Sequence, residues 1–537
     1  MTHTLEQPLR IQAGRNSQPN PTSCATRRHH DWVIVGLLAL GACLLLTNLQ
    51  SGYLWEDEAE TALLARQTLA VGYPKATDGR NAIEITTHGY GPGDSWVYNP
   101  WLPFYVLAGV FALFGESTRI ARLPFALCGL LSLYLTWRLA RRVTPDVRVQ
   151  RLSVALVTCS VPFLLHMRQC RYYAPTTALL LGVCLAYLAF LESPSRRRAI
   201  GLGVLLALLF HTNFGAFIPT CGALLLHQAW QVKAAARRWL GECGLVALAL
   251  TAPWAVFFYR SAFIGTVSWH RIAQHLQYYI RVTNKYLAPI ALMAAVSVGW
   301  RLIRLARRRR DAAPQPSSPH PWRSLTRSTQ GFFAIMVAAQ LVFLLIPDQR
   351  HLRYLMPMLP LFAIGEACWL IGWVARHRVV GAVLIALALL TTTLHTPHHP
   401  QAPLIDFAGE LTHHYTGPME GIVGYLEAHA QPEEVVKIPY DDRTLMFYTR
   451  MRVERPSQFL DATGADWVVL RRDWTPDHFP TSPLAEQLDR DYDRIELDAP
   501  DIRWQNREDP GSHHYRTVRD APRIVLYHKR TLRHGPV

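Results

Sequence analysis

The stretch of sequence that decides the fold is Val33-Ile-Val-Gly-Leu-Leu-Ala-Leu-Gly-Ala-Cys-Leu-Leu-Leu-Thr-Asn-Leu49, which precedes Trp55-Glu-Asp-Glu-Ala-Glu60 by five residues. The apolar stretch is long enough for a membrane-spanning helix, since the hydrocarbon core needs about 20 residues and roughly 17 at the least. About 30 mostly polar residues precede it and no small-x-small cleavage site follows, which argues against a secretory signal. We therefore predict a retained anchor with an acidic cluster just outside the membrane.

Apolar blocks of similar length recur as far as residue 395 in this 537-residue chain, half of which is hydrophobic. They predict an α-helical polytopic membrane protein with about 11 spans. The nine cysteines lie mostly in or near these blocks and form no CxxC pair, so they indicate neither zinc nor redox chemistry. After the first block, the predicted spans are 119–138, 152–167, 174–191, 199–213, 214–230, 240–258, 286–303, 329–346, 355–374 and 378–395.

The formal charge of +16 is compatible with nucleic acid as a partner, but its distribution favours a membrane protein. With residues 1–31 placed in the cytoplasm, the inner loops carry about 25 Arg and Lys in roughly 90 residues, and the outer loops about 11 in roughly 110. This asymmetry follows the positive-inside rule. We expect a cytoplasmic N-terminal tail, an extracytoplasmic C-terminus and no nucleic acid partner.

The apolar segment from Trp101 to Phe114 belongs to the first outer loop, residues 51–118, in this topology. Counting it as a span would reverse every later loop and place the Arg-rich loops outside. It is also short, at about 15 residues, for a helix that crosses the bilayer. We therefore predict that it lies on the outer face of the membrane as a surface helix.

The chain divides into three regions by composition: the tail 1–31, a transmembrane domain 32–398 and a soluble extracytoplasmic domain 399–537. A Pro/Ser-rich linker occupies residues 311–328 within the transmembrane domain. In the last region short apolar runs typical of strands alternate with a helical stretch, which predicts a small α/β domain. The predicted strands are 435–438, 467–470 and 523–527, and the predicted helix is 421–430.

The acidic cluster begins a predicted helix from Glu58 to Leu69, which places Asp57 in the first turn, on the membrane surface. Helix capping is one explanation, because Asp and Glu are common in first turns. The number of carboxylates within five residues exceeds what a cap needs. A carboxylate beside a low-dielectric boundary has a raised proton affinity, which suits a general base. Local sequence leaves both interpretations open.

A second group, His166-Met-Arg168-Gln-Cys-Arg171-Tyr172-Tyr173, stands at the predicted outer end of the third span. Arg and Tyr here can bind a phosphate through charge-assisted hydrogen bonds. Equally, Tyr can form an interfacial belt and Arg can extend to lipid headgroups. Two further segments carry His211 and the pair Arg353-Tyr354 to the same predicted side. An active site open to the outer face requires such a common side.

In their order along the chain, these residues resemble the GT-C glycosyltransferases, in the branch of protein O-mannosyltransferases and lipid A aminoarabinose transferases. The Asp-Glu-Ala motif of that branch stands at Asp57-Glu58-Ala59, and the end of its helix at Ala65-Arg66. Its His-Pro-Pro-Leu element is altered to Asn99-Pro100-Trp101-Leu102. The Arg-x-x-Arg-x-Tyr stretch is similar to Arg168 through Tyr173, and Arg-Tyr-Leu-x-Pro stands at Arg353-Tyr354-Leu355-Met356-Pro357.

The resemblance implies a GT-C fold and sugar transfer on the outer face of a bacterial inner membrane. The donor would be a polyprenyl-phosphate sugar, the acceptor a hydroxyl of a lipid, glycan or protein, and the product inverted. Asp57 would be the general base with Glu58 in support. No cofactor is certain, although a divalent cation (Mg²⁺ or Mn²⁺) bridging carboxylate and phosphate is compatible with the pattern. The implied phosphate-binding residues are Arg168, Arg171, Tyr172, Arg353 and Tyr354, and the supporting residues are Arg66, Asn99 and His211.

Two other functions compete with glycosyl transfer. A transporter or flippase of a lipid-linked saccharide should carry ionisable residues near the bilayer midplane and often has repeated halves. The charges here gather at one face and no repeat stands out, so we prefer the enzyme. A non-catalytic membrane protein with an outer binding domain is the third interpretation. No motif reports which sugar is moved or which acceptor receives it.

Overall fold

The structure is a computed structural model that describes most of the chain. Three predicted features lie outside the described residues: the tail before residue 31, the linker 311–328 and the domain boundary between residues 398 and 399. The described residues are 31–83, 90–231, 234–258, 268–310, 329–392, 403–454, 462, 464–475, 483–503 and 509–530.

Helices dominate the described residues up to 392, as the apolar blocks predict. They are α1 Trp32–Leu46, α2 Glu56–Val71, α3 Leu102–Phe114, α4 Thr118–Val143, α5 Val147–Thr158, α6 Val161–Arg168, α7 Tyr173–Glu192, α8 Arg196–Thr212, α9 Phe214–Gln231, α10 Ala234–Phe258, α11 Trp269–Tyr286, α12 Ile290–Arg310, α13 Thr329–Phe343, α14 Leu359–Arg376 and α15 Arg378–Thr392. A 3-10 turn, Leu352–Met358, leads into α14.

By length and composition, four helices in the described residues can cross a membrane, or up to six if each of two bent pairs is one span. The pair α5 and α6 bends by 61° near Pro162, and the pair α11 and α12 bends by 90° at Pro289. Four other predicted spans coincide with shorter apolar helices, and the span 199–213 coincides with α8, so the count of about 11 stays a prediction. The four long helices are α4, α7, the part of α10 from Arg238 and the segment Leu352–Arg376.

The outward face of α10 illustrates how these helices meet lipid. Leu245 and Val256 expose 67% and 72% of their surface, although both are large and apolar. In water such exposure would be unfavourable, whereas in a membrane-spanning helix it faces hydrocarbon. The apolar blocks of the sequence are therefore not explained by a hydrophobic protein core alone.

The helix α2 follows the first anchor and carries the acidic cluster, as predicted. Glu56, Asp57 and Glu58 form its first turn, where the positive end of the helix dipole favours carboxylates. The helix ends at Gly72, whose φ of +86° lies in the left-handed region that glycine adopts readily. The predicted helix from Glu58 to Leu69 is confirmed.

The predicted surface helix of the first outer loop is α3. It has 13 residues, which span roughly 20 Å, too little for a bilayer core of about 30 Å. Leu107 and Phe111 are buried on its inner side, which packs on α2 and α4, whereas Leu113 and Phe114 are exposed. This geometry fits a helix lying on the membrane, and that location stays a prediction.

Close helix packing fixes the chain segment that follows α6. A Cβ on Gly129 of α4 would lie 2.6 Å from the Cβ of Met167, so only glycine permits this approach. Arg168 ends α6, and the short segment to Tyr173 crosses above α2 into α7. The arginines of this segment are therefore held against the first outer helix.

The C-terminal described residues contain a five-stranded mixed sheet with flanking helices. β1 is parallel to β2 and β3, and β5 is antiparallel to β3 and β4, in the order β2-β1-β3-β5-β4. All three predicted strands are confirmed, and the predicted helix lies within α17; β2 and β4 were not predicted. The elements are α16 Pro403–Thr412, α17 Pro418–His429, β1 Val435–Lys437, α18 Asp442–Tyr448, β2 Arg452–Glu454, β3 Trp467–Leu470, α19 Pro483–Asp491, β4 Tyr492–Pro500 and β5 Arg523–Lys529.

Candidate active site

Asp57 lies in the first turn of α2, where two other segments meet it. Its Oδ2 accepts a hydrogen bond of 2.6 Å from Nη1 of Arg353, and Nη2 of Arg171 lies 3.4 Å from the same oxygen. Arg171 also donates through Nη1 to the backbone carbonyl of Asp57 at 2.8 Å. We call Asp57, Arg171 and Arg353 the open cluster, because 19% of the Asp57 side chain is exposed.

The open cluster places two guanidinium groups against one carboxylate. Burial lowers the pKa of Arg171, but Asp57 and Glu60 more than offset this and leave its pKa above the usual value. The cluster therefore combines a partly exposed carboxylate with two cations that can bind an anion.

Glu58 occupies a different environment one residue further along α2. Its two oxygens accept from Nε and Nη2 of Arg122 at 2.8 and 2.7 Å, and Oε1 also accepts from the backbone N–H of Cys170 at 2.8 Å. Nη1 of Arg122 donates to the carbonyls of Leu49 and Ser51 at 3.1 and 2.8 Å. Glu58 and Arg122 are buried, and we call this pair, with loop 49–53, the closed cluster.

The closed cluster is compatible with the supporting role predicted for Glu58. A fully buried carboxylate in a two-bond ion pair has no access to a substrate, so Glu58 supports the site rather than reacting in it. Its ion-pair partner is Arg122. Arg122 was missed because nothing in the predicted span 119–138 distinguishes it from an arginine at a membrane boundary.

Arg66 lies at the contact between α2 and the C-terminal region rather than in the open cluster. It forms an ion pair of 2.6 Å with Glu116 and donates to the carbonyl of Phe447 at 2.9 Å. Its guanidinium also lies over the ring of Phe447, 4.6 Å from the centroid. These contacts assign Arg66 to docking.

Arg168 contacts a different part of the protein from Arg171. Its guanidinium donates to the carbonyls of Leu44 and Thr47, both at 2.8 Å, and to that of Asn48 at 3.2 Å. These carbonyls surround the C-terminus of α1, where the helix leaves acceptors without intrahelical partners and carries partial negative charge. Arg168 therefore stabilises the end of the first anchor, and its donors are not directed at a phosphate in the open cluster.

A cavity of about 230 Å³ lies next to the open cluster. Tyr172 and Tyr354 line it, and each follows an arginine of the open cluster, with Arg171 5.2 Å from the Tyr172 ring and Arg353 5.9 Å from the Tyr354 ring. The wall also includes aromatic and apolar side chains of α9 and α13 with a few polar groups, the composition of a ligand pocket. Other lining residues are Tyr173, Asn213, Phe214, Gln340 and Phe343.

The remaining predicted residues lie elsewhere. Nε2 of His211 is 3.0 Å from the carbonyl of Leu250, and its ring packs edge-on against Trp254. Asn99 is half-buried in the turn before α3. The structure places His211 in an aromatic group between α8 and α10, not at Asp57. Within the described residues, no set of three or more His, Cys, Asp or Glu is arranged to hold a metal ion.

Two further charged residues extend the open cluster and were not predicted as part of it. Glu60 lies one turn along α2 from Asp57, and its Oε1 is 3.0 Å from Nη1 of Arg171. Its Oε2 is 2.8 Å from Nη1 of Arg443, which belongs to α18 in the C-terminal region. Nothing in the sequence indicated Arg443, because its partner Glu60 belongs to the first outer loop and is far from it along the chain.

Comparisons with known proteins agree with the resemblance predicted from sequence. The sequence model of the dolichyl-phosphate-mannose-protein mannosyltransferase family matches residues 98–257. No curated protein sequence matches the chain. The structure is similar to that of ArnT from Cupriavidus metallidurans bound to undecaprenyl phosphate, with 15% identity, a TM-score of 0.54, and coverage of 94% of this chain and 99% of that chain.

Two structures of the oligosaccharyltransferase from Archaeoglobus fulgidus are also similar. One, in complex with zinc and sulfate, has 12% identity and a TM-score of 0.52 and covers 81% of this chain and 67% of that chain. The other, AglB with an inhibitory peptide and a dolichol-phosphate, has 12% identity and a TM-score of 0.50, with coverage of 82% and 69%. The chain is therefore an integral membrane protein with the GT-C fold, and its resemblance to the branch of the protein O-mannosyltransferases and lipid A aminoarabinose transferases is confirmed.

Proposed function

We propose that this chain is a membrane glycosyltransferase that moves a sugar from a polyprenyl phosphate to a hydroxyl acceptor on the outer face of the membrane. The observation that carries the proposal is the open cluster: Asp57, Arg171 and Arg353 come from three segments and meet beside an aromatic cavity. The GT-C fold supports it, since similar structures hold undecaprenyl phosphate or dolichol-phosphate.

In the proposed reaction Asp57 is the general base. Its carboxylate takes the proton of the acceptor hydroxyl while that oxygen attacks the anomeric carbon. The bond between that carbon and the phosphate oxygen breaks, and its electron pair leaves with the polyprenyl phosphate. One base suffices, because a phosphate leaves as an anion and needs little protonation, and a single displacement inverts the anomeric configuration.

The two arginines of the open cluster would bind the departing phosphate. Arg353 donates from Nη1 to Oδ2 of Asp57 at 2.6 Å, and a departing phosphate can compete with this carboxylate for the guanidinium. Arg171 is more constrained, because it donates to the Asp57 carbonyl and to Thr61 and pairs with Glu60. Fixed donors placed where charge develops lower the barrier without reorganisation.

The cavity would hold the part of the donor next to the phosphate. Tyrosines line it together with phenylalanine, leucine and proline residues, which suits a molecule that is polar at one end and a hydrocarbon at the other. On the polar side Nε2 of Gln340 donates to Oγ1 of Thr220 at 2.9 Å, which fixes its orientation. Tyr172 and Tyr354 would contact the phosphate end.

Ion pairs at the opposite ends of the helices support the proposed topology. Asp31 before α1 pairs with Arg151 of α5 at 3.1 Å, and Arg196 of α8 lies 3.3 Å from Glu242 of α10. Asp31, Arg151 and Arg196 are predicted to be cytoplasmic, Glu242 lies at the predicted inner end of the span 240–258, and Arg142 and Glu192 also pair on this side. We place the N-terminus in the cytoplasm and the C-terminal domain in the periplasm of a bacterium, where polyprenyl-linked donors are used.

Transfer in reconstituted vesicles tests this proposal. The full chain is supplied with undecaprenyl phosphate carrying a tritiated hexose or pentose and with envelope lipids, glycans or proteins as acceptors. We expect a new glycoside of inverted configuration and release of undecaprenyl phosphate. Passage of labelled lipid across the vesicle without a new glycoside would instead establish a transporter.

A matched pair of substitutions tests the base. Asp57→Asn should abolish transfer, whereas Asp94→Asn should not. Asp94 is an exposed residue of the same outer loop, 4.0 Å from Lys75. It also has a positive φ that asparagine tolerates. Transfer at the wild-type rate by Asp57→Asn would overturn the assignment.

A further inference from the structure

A helix of the C-terminal region, α18, brings a buried arginine to the acidic face of α2. Nη1 of Arg443 lies 2.8 Å from Oε2 of Glu60, and Nε donates to the carbonyl of Ile83 at 2.7 Å. The same Nε is 3.4 Å from Oε1 of Glu56. The side chains of Arg443, Glu56 and Glu60 are each less than a tenth exposed. One cation thus contacts two carboxylates in a buried setting, where charge pairing has a large effect.

Glu60 connects Arg443 to the open cluster. One of its oxygens faces Arg443 at 2.8 Å and the other faces Arg171 at 3.0 Å. Arg171 in turn contacts the Asp57 side chain at 3.4 Å and the Asp57 carbonyl at 2.8 Å. A continuous series of charged contacts therefore leads from the C-terminal region to Asp57.

The position of Arg443 is set by neutral contacts on either side of it. Oγ1 of Thr444 donates to the carbonyl of Leu54 at 2.9 Å, and the backbone N–H of Leu54 donates to the hydroxyl of Tyr448 at 3.0 Å. Tyr448 also packs on the ring of Tyr53. These bonds anchor α18 to the turn before α2, so docking of α18 and placement of Arg443 are separate properties that different substitutions can remove.

We propose that Arg443 is a positioning residue for the transfer reaction: it holds Glu60 so that Arg171 remains directed at the carboxylate of the open cluster. The inference rests on the proposed function. Without Arg443, Glu56 and Glu60 lose a cation, and Arg171 becomes the nearest counterion of Glu60. Arg171 then moves toward Glu60 and away from Asp57. The C-terminal region thus completes the active site.

The proposed role of Arg443 predicts the direction in which the pH profile of the transfer rate should shift. Asp57 reacts as a carboxylate, so the rate falls on the acid side of the profile. Removing a nearby cation makes protonation easier and moves that limb to higher pH, whereas removing a nearby anion moves it to lower pH. Among the described residues, the charged and titratable groups around Asp57 come from several elements. Arg171 and Tyr172 precede α7, Arg353 and Tyr354 precede α14, and Glu58 and Glu60 lie on α2. Arg122 on α4 and Arg443 on α18 act indirectly, through Glu58 and Glu60.

The experiment measures transfer against pH for the full chain in vesicles, with the undecaprenyl-phosphate sugar that supports wild-type transfer. For Arg443→Gln the acid limb should move to higher pH by about 0.5 to 1, with a three- to tenfold loss of rate below the wild-type optimum. Glu60→Gln should move it to lower pH. Arg443→Lys keeps the charge and should restore most of the wild-type profile.

Two control variants separate this role from docking and from general stability. Thr444→Val removes a docking bond of α18 without changing charge, and should lower thermal stability while leaving the pH profile in place. Arg452→Gln removes an exposed arginine of the same region, whose ion pair with Glu454 lies outside the cluster, and should change neither.

Coincident pH profiles for wild type, Arg443→Gln and Glu60→Gln would overturn the inference. So would equal shifts for Arg443→Gln and Thr444→Val, because the effect would then come from docking. If Arg443→Gln fails to accumulate, the opposite shift of Glu60→Gln decides. Absence of transfer by the wild type with every sugar tried overturns the proposed function instead, which keeps the two failures apart.

Discussion

The open cluster and the closed cluster begin at neighbouring residues of one helix and have opposite properties. Asp57 is 19% exposed and contacts two arginines from other segments. Glu58 is fully buried, and its partner Arg122 also binds several backbone carbonyls. Successive residues of a helix point about 100° apart, so one turn of α2 serves a cavity and a packed interior.

The two clusters differ as a group proposed to react, Asp57, differs from a group proposed to support it, Glu58. A base must be reachable and must be able to exchange partners, as Asp57 can. Glu58 meets neither condition, but its bond to the backbone N–H of Cys170 fixes the residue next to Arg171. The closed cluster therefore positions the open one.

Among the substitutions that test the difference between the two clusters, Asp57→Asn should have the largest effect on transfer. The amide cannot accept the proton, and general base catalysis contributes roughly 10²- to 10⁴-fold, so kcat should fall by about that factor. Because Asp57 is partly exposed, the thermal midpoint should stay close to wild type. Both quantities can be measured on one detergent-purified sample. A strongly lowered midpoint with unchanged kcat would show that the two carboxylates have been assigned the wrong way round.

Arg122→Gln should have the reverse pattern. It leaves Glu58 buried without its cation, and breaking a buried ion pair from one side costs about 3–5 kcal/mol. We expect poor accumulation and a free energy of unfolding lowered by that amount. The double variant Glu58→Met with Arg122→Met removes both charges and should recover much of the loss, because an apolar pair of similar volume avoids the desolvation cost. A stable single variant would contradict the assignment.

Two kinds of feature could be predicted from the sequence: elements set by a local residue pattern, and residues placed on the same side of the membrane. The helix after the first anchor, three strands and the meeting of Asp57, Arg171 and Arg353 all follow from periodicity, loop charge and the ordered motifs. Local pattern alone could not separate Asp57 from Glu58, because helical phase matters only once the neighbouring helices are in place; the family resemblance distinguished them. The contacts of Arg168 and Arg443 could not be predicted, because their partners are distant in sequence. Arg168 binds the C-terminus of a helix, and Arg443 pairs with a carboxylate from another region.

Substitution of Arg353 tests whether the open cluster binds the phosphate of the donor. Arg353→Lys keeps a cation near Asp57 but loses the planar set of donors that matches a phosphate. Hydrogen bonds to charged groups contribute about 1.5–3 kcal/mol, so KM for the polyprenyl-phosphate donor should rise about 10- to 100-fold. Initial rates at varied donor concentration measure this. An unchanged KM would mean that the phosphate is bound elsewhere.

The smallest effect is expected for Arg168→Gln, and it tests whether two arginines three residues apart have different functions. Arg168 binds carbonyls at the C-terminus of α1, so its loss should lower the free energy of unfolding by about 1–2 kcal/mol. Since its donors are not directed at the open cluster, KM for the donor should stay within about twofold of wild type, unlike that of Arg353→Lys. Thermal unfolding and donor titration on the same two variants make the comparison direct. A tenfold rise in KM for Arg168→Gln without loss of stability would return Arg168 to the phosphate site, and the arrangement at the end of α1 would then have to change when the donor binds.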